Sequence, residues 1–391
     1  MKRTLLLFLL SVSTLWGQFL PDIPDRLNYA AQLNGTSQYF SKATPPRMDL
    51  NGSEILTVTT TFDADVTGWE VNSGSALAHE TTIKRTGAGS ARTIRTGANS
   101  IIAFRPSAAV NNATTIKVTG EVWVYRTAGS TGSALIQANI LNESNGALIS
   151  GTNTVATVDT WVKLVVNGQL PGTQTGIKLG IQAQSAQTGD TVYVDDVSLT
   201  QAYDGVIAGW VKTTNTTNLA TIAQLGVVSS GYGLRLTNTG AVTALFFDAV
   251  VAQSNNSTTV INDGRYYFVA ITYNRTGNQQ IYISGLADGA GASITAIGKI
   301  SGETSFTLGA RGAPDRYFPG LLGEWVLVRY ASLPSDIASW IAYARTQRFI
   351  PEPPGGGTTI LRLFGKENSA YDQSGNQGVL TNAGNTPIIP R

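Results

Sequence analysis

Few residues in this chain have side chains able to do covalent or proton-transfer chemistry, and their spacing does not assemble them. Cysteine is absent, which excludes thiolate catalysis, Cys-based zinc sites and disulfides. His79 is the only histidine. A Ser-His-Asp relay would depend on it, yet no serine sits in a G-x-S-x-G elbow and His79 lies in a run that reads as strand. A retaining glycosidase needs two carboxyl groups about 5 Å apart, and acids alternating along one strand would project into one cleft. No such run exists. Glu324 leads into Trp325-Val326-Leu327-Val328, and the adjacent pair Asp195-Asp196 is expected to point to opposite faces of its strand. The expectation is a protein that is not an enzyme.

The remaining chemistry is recognition. Sugar-binding proteins stack pyranose rings on exposed aromatics. Tyr125 shares a strand face with Trp123 but lies further towards the strand end. Tyr232, Tyr317 and Phe318 fall in Gly- or Pro-rich loops. These four are the candidate ligand-binding residues, although no long aromatic row announces a cleft. Asp372, Ser374 and Asn376 have the spacing of oxygen ligands, but Asp, Ser-Gly and Asn are turn formers, and a turn is the reading preferred.

The elements that must position these residues are short strands. The 391 residues suffice for two domains with cores of their own. Charged residues make up 13% and the net charge is +2, so the clustered Lys and Arg that a nucleic-acid partner requires are missing. Glycine is abundant, at 42 residues, which suits many tight turns. One helix is expected, over 335–348, with Ser335 as its N-cap. Lys2-Arg3 followed by the apolar run Leu5 to Leu15 reads as an export signal over 1–18. The run is too short for an integral membrane anchor. A leader with Pro21 and Pro24 is expected over 19–32.

Two sets of strand motifs interleave. Leu33–Phe40 and Met48–Ser53 resemble the opening of a concanavalin A-like (laminin G-like) domain. The next strand of that pattern is Val206–Lys212, about 150 residues later. Gly264–Tyr273, Gln280–Gly285, Phe306–Arg311, Phe318–Trp325 and Leu333–Ile337 continue it in order. Between the two parts, Phe62–Trp69, Gly87–Ile94, Val118–Tyr125, Asp159–Val166 and Asp190–Leu199 resemble a carbohydrate-binding-module jelly roll of the family 4/9 type. The resemblances imply an all-β chain of two jelly-roll-type β-sandwiches, one inserted into the other. The outer sandwich is expected over 33–61 plus 203–350 and the insert over 62–202. They also imply core roles for Trp69, Trp123 and Trp161, and a structural calcium held by Asp63 with Asp195 or Asp196, with backbone carbonyls near Ser90 completing its shell.

Pro351 to Gly357 reads as a linker. The tail 358–391 contains Ala370–Thr381, which resembles a segment that ordinarily precedes a laminin G-like domain. It is expected to pack on its own sandwich, with strand addition to a neighbouring subunit as the alternative. Two function classes remain. The first is a non-catalytic, secreted, extracellular surface protein that binds a glycan or cell-surface polymer for adhesion. The second is a bacteriophage virion protein (capsid decoration, spike or tail-fibre component), acting as a homo-oligomer or within a larger assembly.

Overall fold

The structure is a computed structural model. It describes residues 29–34, 39–43, 51–56, 61–97, 102–106, 115–130, 135–151, 154–155, 157–172, 174, 176–184, 186–217, 219–226, 230–300, 305–311, 316–347, 349–363, 381–383 and 388–390. The expected signal segment and the Asp372–Asn376 turn lie outside the described residues.

The fold is nearly all-β, and one sandwich is inserted into the other as the interleaved motifs implied. In the outer sandwich, sheet A runs Leu286–Ser293, Asn278–Ile283, Tyr266–Tyr273, Asp204–Lys212, Pro319–Tyr330, Tyr29–Asn34, Ile388–Pro390. Sheet B runs Ala252–Val260, Ala241–Asp248, Ser230–Leu236, Ala220–Gly226, Ser305–Leu308, Tyr39–Ala43, Thr381–Ala383. In the insert, sheet C runs Val162–Leu170, Ile116–Arg126, Thr191–Ala202, Ser90–Arg95, Ser75–Glu80. Sheet D runs Ala147–Ser150, Leu135–Leu141, Lys178–Ala183, Ile102–Pro106, Trp69–Val71. The strand Asn51–Glu54, expected with the outer sandwich, pairs instead with Thr191–Ala202 in sheet C. The chain thus joins the insert's sheet earlier than its motifs suggest.

The strand Asp204–Lys212 of sheet A is buried on both faces, which explains the unbroken apolar run Val206–Val211. Ile207 and Val211 face the core between sheets A and B. Val206, Ala208 and Trp210 face a second core under the helix Ile337–Ala344. Gly209 has a steric role on the face of Ile207 and Val211, because a Cβ at that position would lie 2.1 Å from the Trp325 ring. The helix is shorter than 335–348. It buries Ile337, Trp340, Ile341 and Ala344, the i, i+3, i+4, i+7 face of an amphipathic helix. Asp336, not Ser335, occupies its N-cap, without a side-chain capping bond.

The tail pairs within its own chain. Thr358–Leu363 adds to Pro319–Tyr330, Thr381–Ala383 to Tyr39–Ala43, and Ile388–Pro390 to Tyr29–Asn34. At the opposite side the edges of the two sheets are joined by Asp288. Its carboxylate accepts from the backbone N–H of Thr258 and from the Thr258 hydroxyl, the latter at 2.8 Å.

A buried carboxyl anchors the first tail strand. Glu324 is 3% exposed and accepts from the Ile350 N–H at 2.7 Å and from Arg362 Nη1 at 3.1 Å. Burial pushes its pKa up to about 7, and the two donors, which favour the charged form, only partly offset that. A carboxyl whose pKa is raised on folding contributes stability that is complete below its unfolded value and is lost as pH rises through its folded value. The thermal melt is therefore expected to fall between pH 5 and pH 8, and Glu324→Gln is expected to flatten that part of the profile. A slope in this window unchanged by the substitution would contradict the assignment.

Candidate functional site

The site is organised by one strand, Ile116–Arg126, at the centre of the insert's sheet C. Its even-numbered apolar residues Val118, Val122 and Val124 enter the insert core. The intervening residues Lys117, Thr119, Glu121, Trp123 and Tyr125 therefore face outward. The first three are covered by the outer sandwich; the last two lie beyond it.

The covered part is a seam of charges. Lys117 Nζ lies 2.6 Å from Asp204 Oδ2 and 2.8 Å from Asn274 Oδ1. Lys163, on the neighbouring strand, lies 2.9 Å from Glu121 and 3.0 Å from Asp248. Glu121 also accepts from the Lys299 N–H at 2.8 Å. Arg275 is fully buried and donates Nη2 to Thr119 Oγ1 at 3.0 Å and to the Gly298 carbonyl at 3.0 Å. Asn167 Nδ2 donates to the carbonyls of Thr295 and Ile297 at 2.7 and 2.9 Å. Burial lowers the Arg275 pKa to about 10, against the pull of Asp248, Asp204 and Glu121. Burial also works to raise Asp248, but the Val251 N–H, Lys163 and the Gly298 N–H prevail and hold it below its ordinary value.

Beyond the seam the same face becomes aromatic. Tyr125 lies 5.5 Å from Trp161 and 5.7 Å from Tyr193, edge-on to the latter. Tyr193 sits opposite Tyr125 in the ladder, and Asp195 opposite Trp123. The Arg85 guanidinium covers the Trp123 ring at 3.7 Å. Tyr125, Trp123 and Trp161 are half-buried. Polar groups border the patch. The Tyr125 hydroxyl donates to Asp159 at 3.2 Å, and Arg92 pairs with Glu80. Burial raises the pKa of both tyrosines, reinforced by Asp159 at Tyr125 and by Glu80 at Tyr193.

The other candidates are distributed as follows. Trp69 is a core residue, stacked on Phe104 at 4.6 Å. Trp123 and Trp161 were expected in the core and instead face outward. Tyr232 and Phe318 were expected as ligand contacts; both are fully buried in the core between sheets A and B. Tyr232 belongs to a strand there, edge-on to Tyr273 at 5.0 Å. Tyr317 is half-buried beside Phe318, away from the aromatic patch of sheet C. His79 Nε2 lies 2.8 Å from the Phe62 carbonyl, to which its N–H donates.

The three carboxylates expected to hold calcium surround the segment Arg85–Ala88. A bulge at Asp195–Ser198, with Asp196 at φ 46°, turns both neighbouring Asp side chains to this segment rather than to opposite faces. Asp195 is fully buried. It accepts from the N–H groups of Arg85 at 2.9 Å, Thr86 at 3.2 Å and Asp196 at 2.8 Å. Burial nonetheless raises its pKa. Asp196 pairs with Arg85 and accepts from the Thr86 hydroxyl at 2.6 Å. Asp63 accepts from the Ala88 N–H, which with the Thr61 hydroxyl keeps its pKa low. Calcium needs six to eight oxygens. In this arrangement the carboxylates accept from N–H, hydroxyl and guanidinium donors.

Residues 185–338, which carry the last insert strand and most of the outer sandwich, match the family described as the concanavalin A-like lectin/glucanases superfamily. No curated protein matches the chain. Similar solved structures include the CBM22-1 xylan-binding domain from Paenibacillus barcinonensis Xyn10C, with a TM-score of 0.31, 17% identity, and coverage of 39% of this chain and 96% of that one. The Ruminococcus gnavus IT-sialidase CBM40 bound to α2,6 sialyllactose gives 0.31, 18% identity, and 36% and 83%. The receptor binding domain of botulinum neurotoxin C/D mosaic serotype gives 0.30, 18%, and 37% and 36%. At these scores the overlap says nothing of what this chain binds.

The donor set around the Asp side chains generates a prediction. A chelator is expected to leave the melting temperature unchanged. Asp195→Asn, which turns an amide donor towards backbone N–H groups, is expected to cost about 1–3 kcal/mol. A melt lowered by chelator and restored by added calcium would show a bound ion instead.

Proposed function

We propose that the chain is a non-catalytic glycan-recognition protein whose sugar-binding surface is the outward face of sheet C. The observation that carries this reading is the half-exposed pair Tyr125 and Trp161, backed by the buried Tyr193 and flanked by the Arg85-covered Trp123, on a sheet face where the second sandwich leaves off. Flat aromatic rings offer apolar faces to pyranose C–H groups, and aromatic burial with a polar handle suits a ligand that is half apolar. Asp159, Glu80, Arg92 and Arg85 supply hydrogen-bond partners for hydroxyl groups at the border. The match of residues 185–338 to a lectin and glucanase superfamily supports the same class. We place the protein outside the cell, at a surface, on the strength of the signal-like N-terminus. An exported chain with a mature N-terminus near Gln18 is the result expected of that part.

A glycan array followed by calorimetric titration of the best hit tests the reading. Trp161→Ala and Tyr125→Ala are each expected to weaken binding by at least about tenfold, equivalent to roughly 1.4 kcal/mol. The circular dichroism spectrum should stay intact. Binding that survives both substitutions, or an array without hits, would defeat it.

A further inference from the structure

We propose that Lys117 and Asn274 form an amide bond between their side chains, made by the protein itself, which staples the inserted sandwich to the outer one. The parts of such a reaction meet at one point of the seam. Lys117 Nζ lies 2.8 Å from the carboxamide oxygen of Asn274. It also lies 2.6 Å from Asp204 Oδ2. The same Asn274 oxygen accepts from the Thr276 N–H at 3.2 Å and from the Thr276 hydroxyl at 3.1 Å. Asp204 is held in place by the N–H groups of Arg275 at 2.9 Å and Leu333 at 2.8 Å. Asp204 is fully buried and Lys117 is 3% exposed. An amine, a carbonyl carbon, donors on the carbonyl oxygen and a proton carrier thus meet at one point, with the amine and the proton carrier buried.

The step balances without an external reagent. Lys117 passes a proton to Asp204, which exchanges a buried ion pair for two neutral groups. The free amine attacks Asn274 Cγ, and the developing oxyanion is met by the two Thr276 donors. Asp204 returns its proton to the departing nitrogen and takes one from the attacking nitrogen. The Cγ–Nδ2 bond breaks, the Cγ–Nζ bond remains, and ammonia leaves, taking up the last proton as ammonium. Nothing is oxidised or reduced. Holding amine and carboxamide in contact supplies the effective concentration that makes such an exchange feasible. The chain has no cysteine, so no disulfide can make this tie. The bond would join a strand of the insert to a turn of the outer sandwich, 157 residues along the chain.

Mass spectrometry of the purified full chain tests this. The wild-type protein is expected to weigh less than its sequence by one ammonia, about 17 Da. A protease digest should contain the Lys117 peptide joined to the Asn274 peptide, with no tryptic cut after Lys117. Lys117→Arg, which keeps the charge, and Asn274→Ala should each restore the full mass. Recovery of free Lys117 and Asn274 peptides from the wild type would overturn the proposal. So would a deficit that persists in both variants, as cyclisation of an N-terminal glutamine would produce.

Discussion

Burying a charge is costly unless it is paired or hydrogen-bonded, and the contact between the two sandwiches is built from ion pairs and charged hydrogen bonds. Lys117 meets Asp204, Lys163 meets Glu121 and Asp248, and Arg275 donates to Thr119 and to the Gly298 carbonyl. Two of these pairs, Lys117–Asp204 and Lys163–Asp248, cross the junction from the insert to the outer sandwich, while Lys163–Glu121 lies within the insert. Removing the outer sandwich would take from Lys117 and Lys163 the carboxylates of Asp204 and Asp248. Sliding one sandwich over the other would break directional bonds that have no substitute nearby. An apolar contact of the same area would resist sliding less, because hydrophobic association is non-directional.

This constraint sets the place of the aromatic patch. Lys117, Thr119 and Glu121 are used up in the seam, and Trp123 and Tyr125 continue the same face of the same strand. The patch therefore begins one residue pair beyond the second sandwich, which stands beside it as a fixed wall. The outer sandwich has its own closure. The tail adds strands to both of its sheets, and the Glu324–Arg362 contact ties the first of these to the strand carrying Trp325. The molecule is thus held by polar bonds at its two junctions and by apolar cores within each sandwich.

Much of this was legible in the sequence. Alternation and turn residues marked the strands, and the interrupted order of two motif sets revealed the nesting. Sidedness was harder to read. Alternation places Val118, Val122 and Val124 on one face and Trp123 and Tyr125 on the other, but it does not say that a large aromatic belongs to the outer face. It is the family resemblance that puts Trp123 and Trp161 in the core. Tyr232 and Phe318 failed in the opposite direction: their Gly and Pro neighbours suggested loops, yet Gly231 and Gly233 lie within a strand that carries Tyr232 inward. The bulge after Asp195 reversed the expected divergence of two adjacent carboxylates, since period-two reasoning holds only for an unbroken ladder. The seam was invisible because its partners are as much as 178 residues apart in the chain, as Glu121 and Lys299 are.

The account stands on the two sandwiches behaving as a single body. Differential scanning calorimetry of the full chain tests that directly. One transition is predicted, with a calorimetric enthalpy equal to the van't Hoff enthalpy, because neither sandwich can unfold without breaking the ion pairs and hydrogen bonds of the seam that hold the other. Two resolved transitions, one for each sandwich, would contradict it.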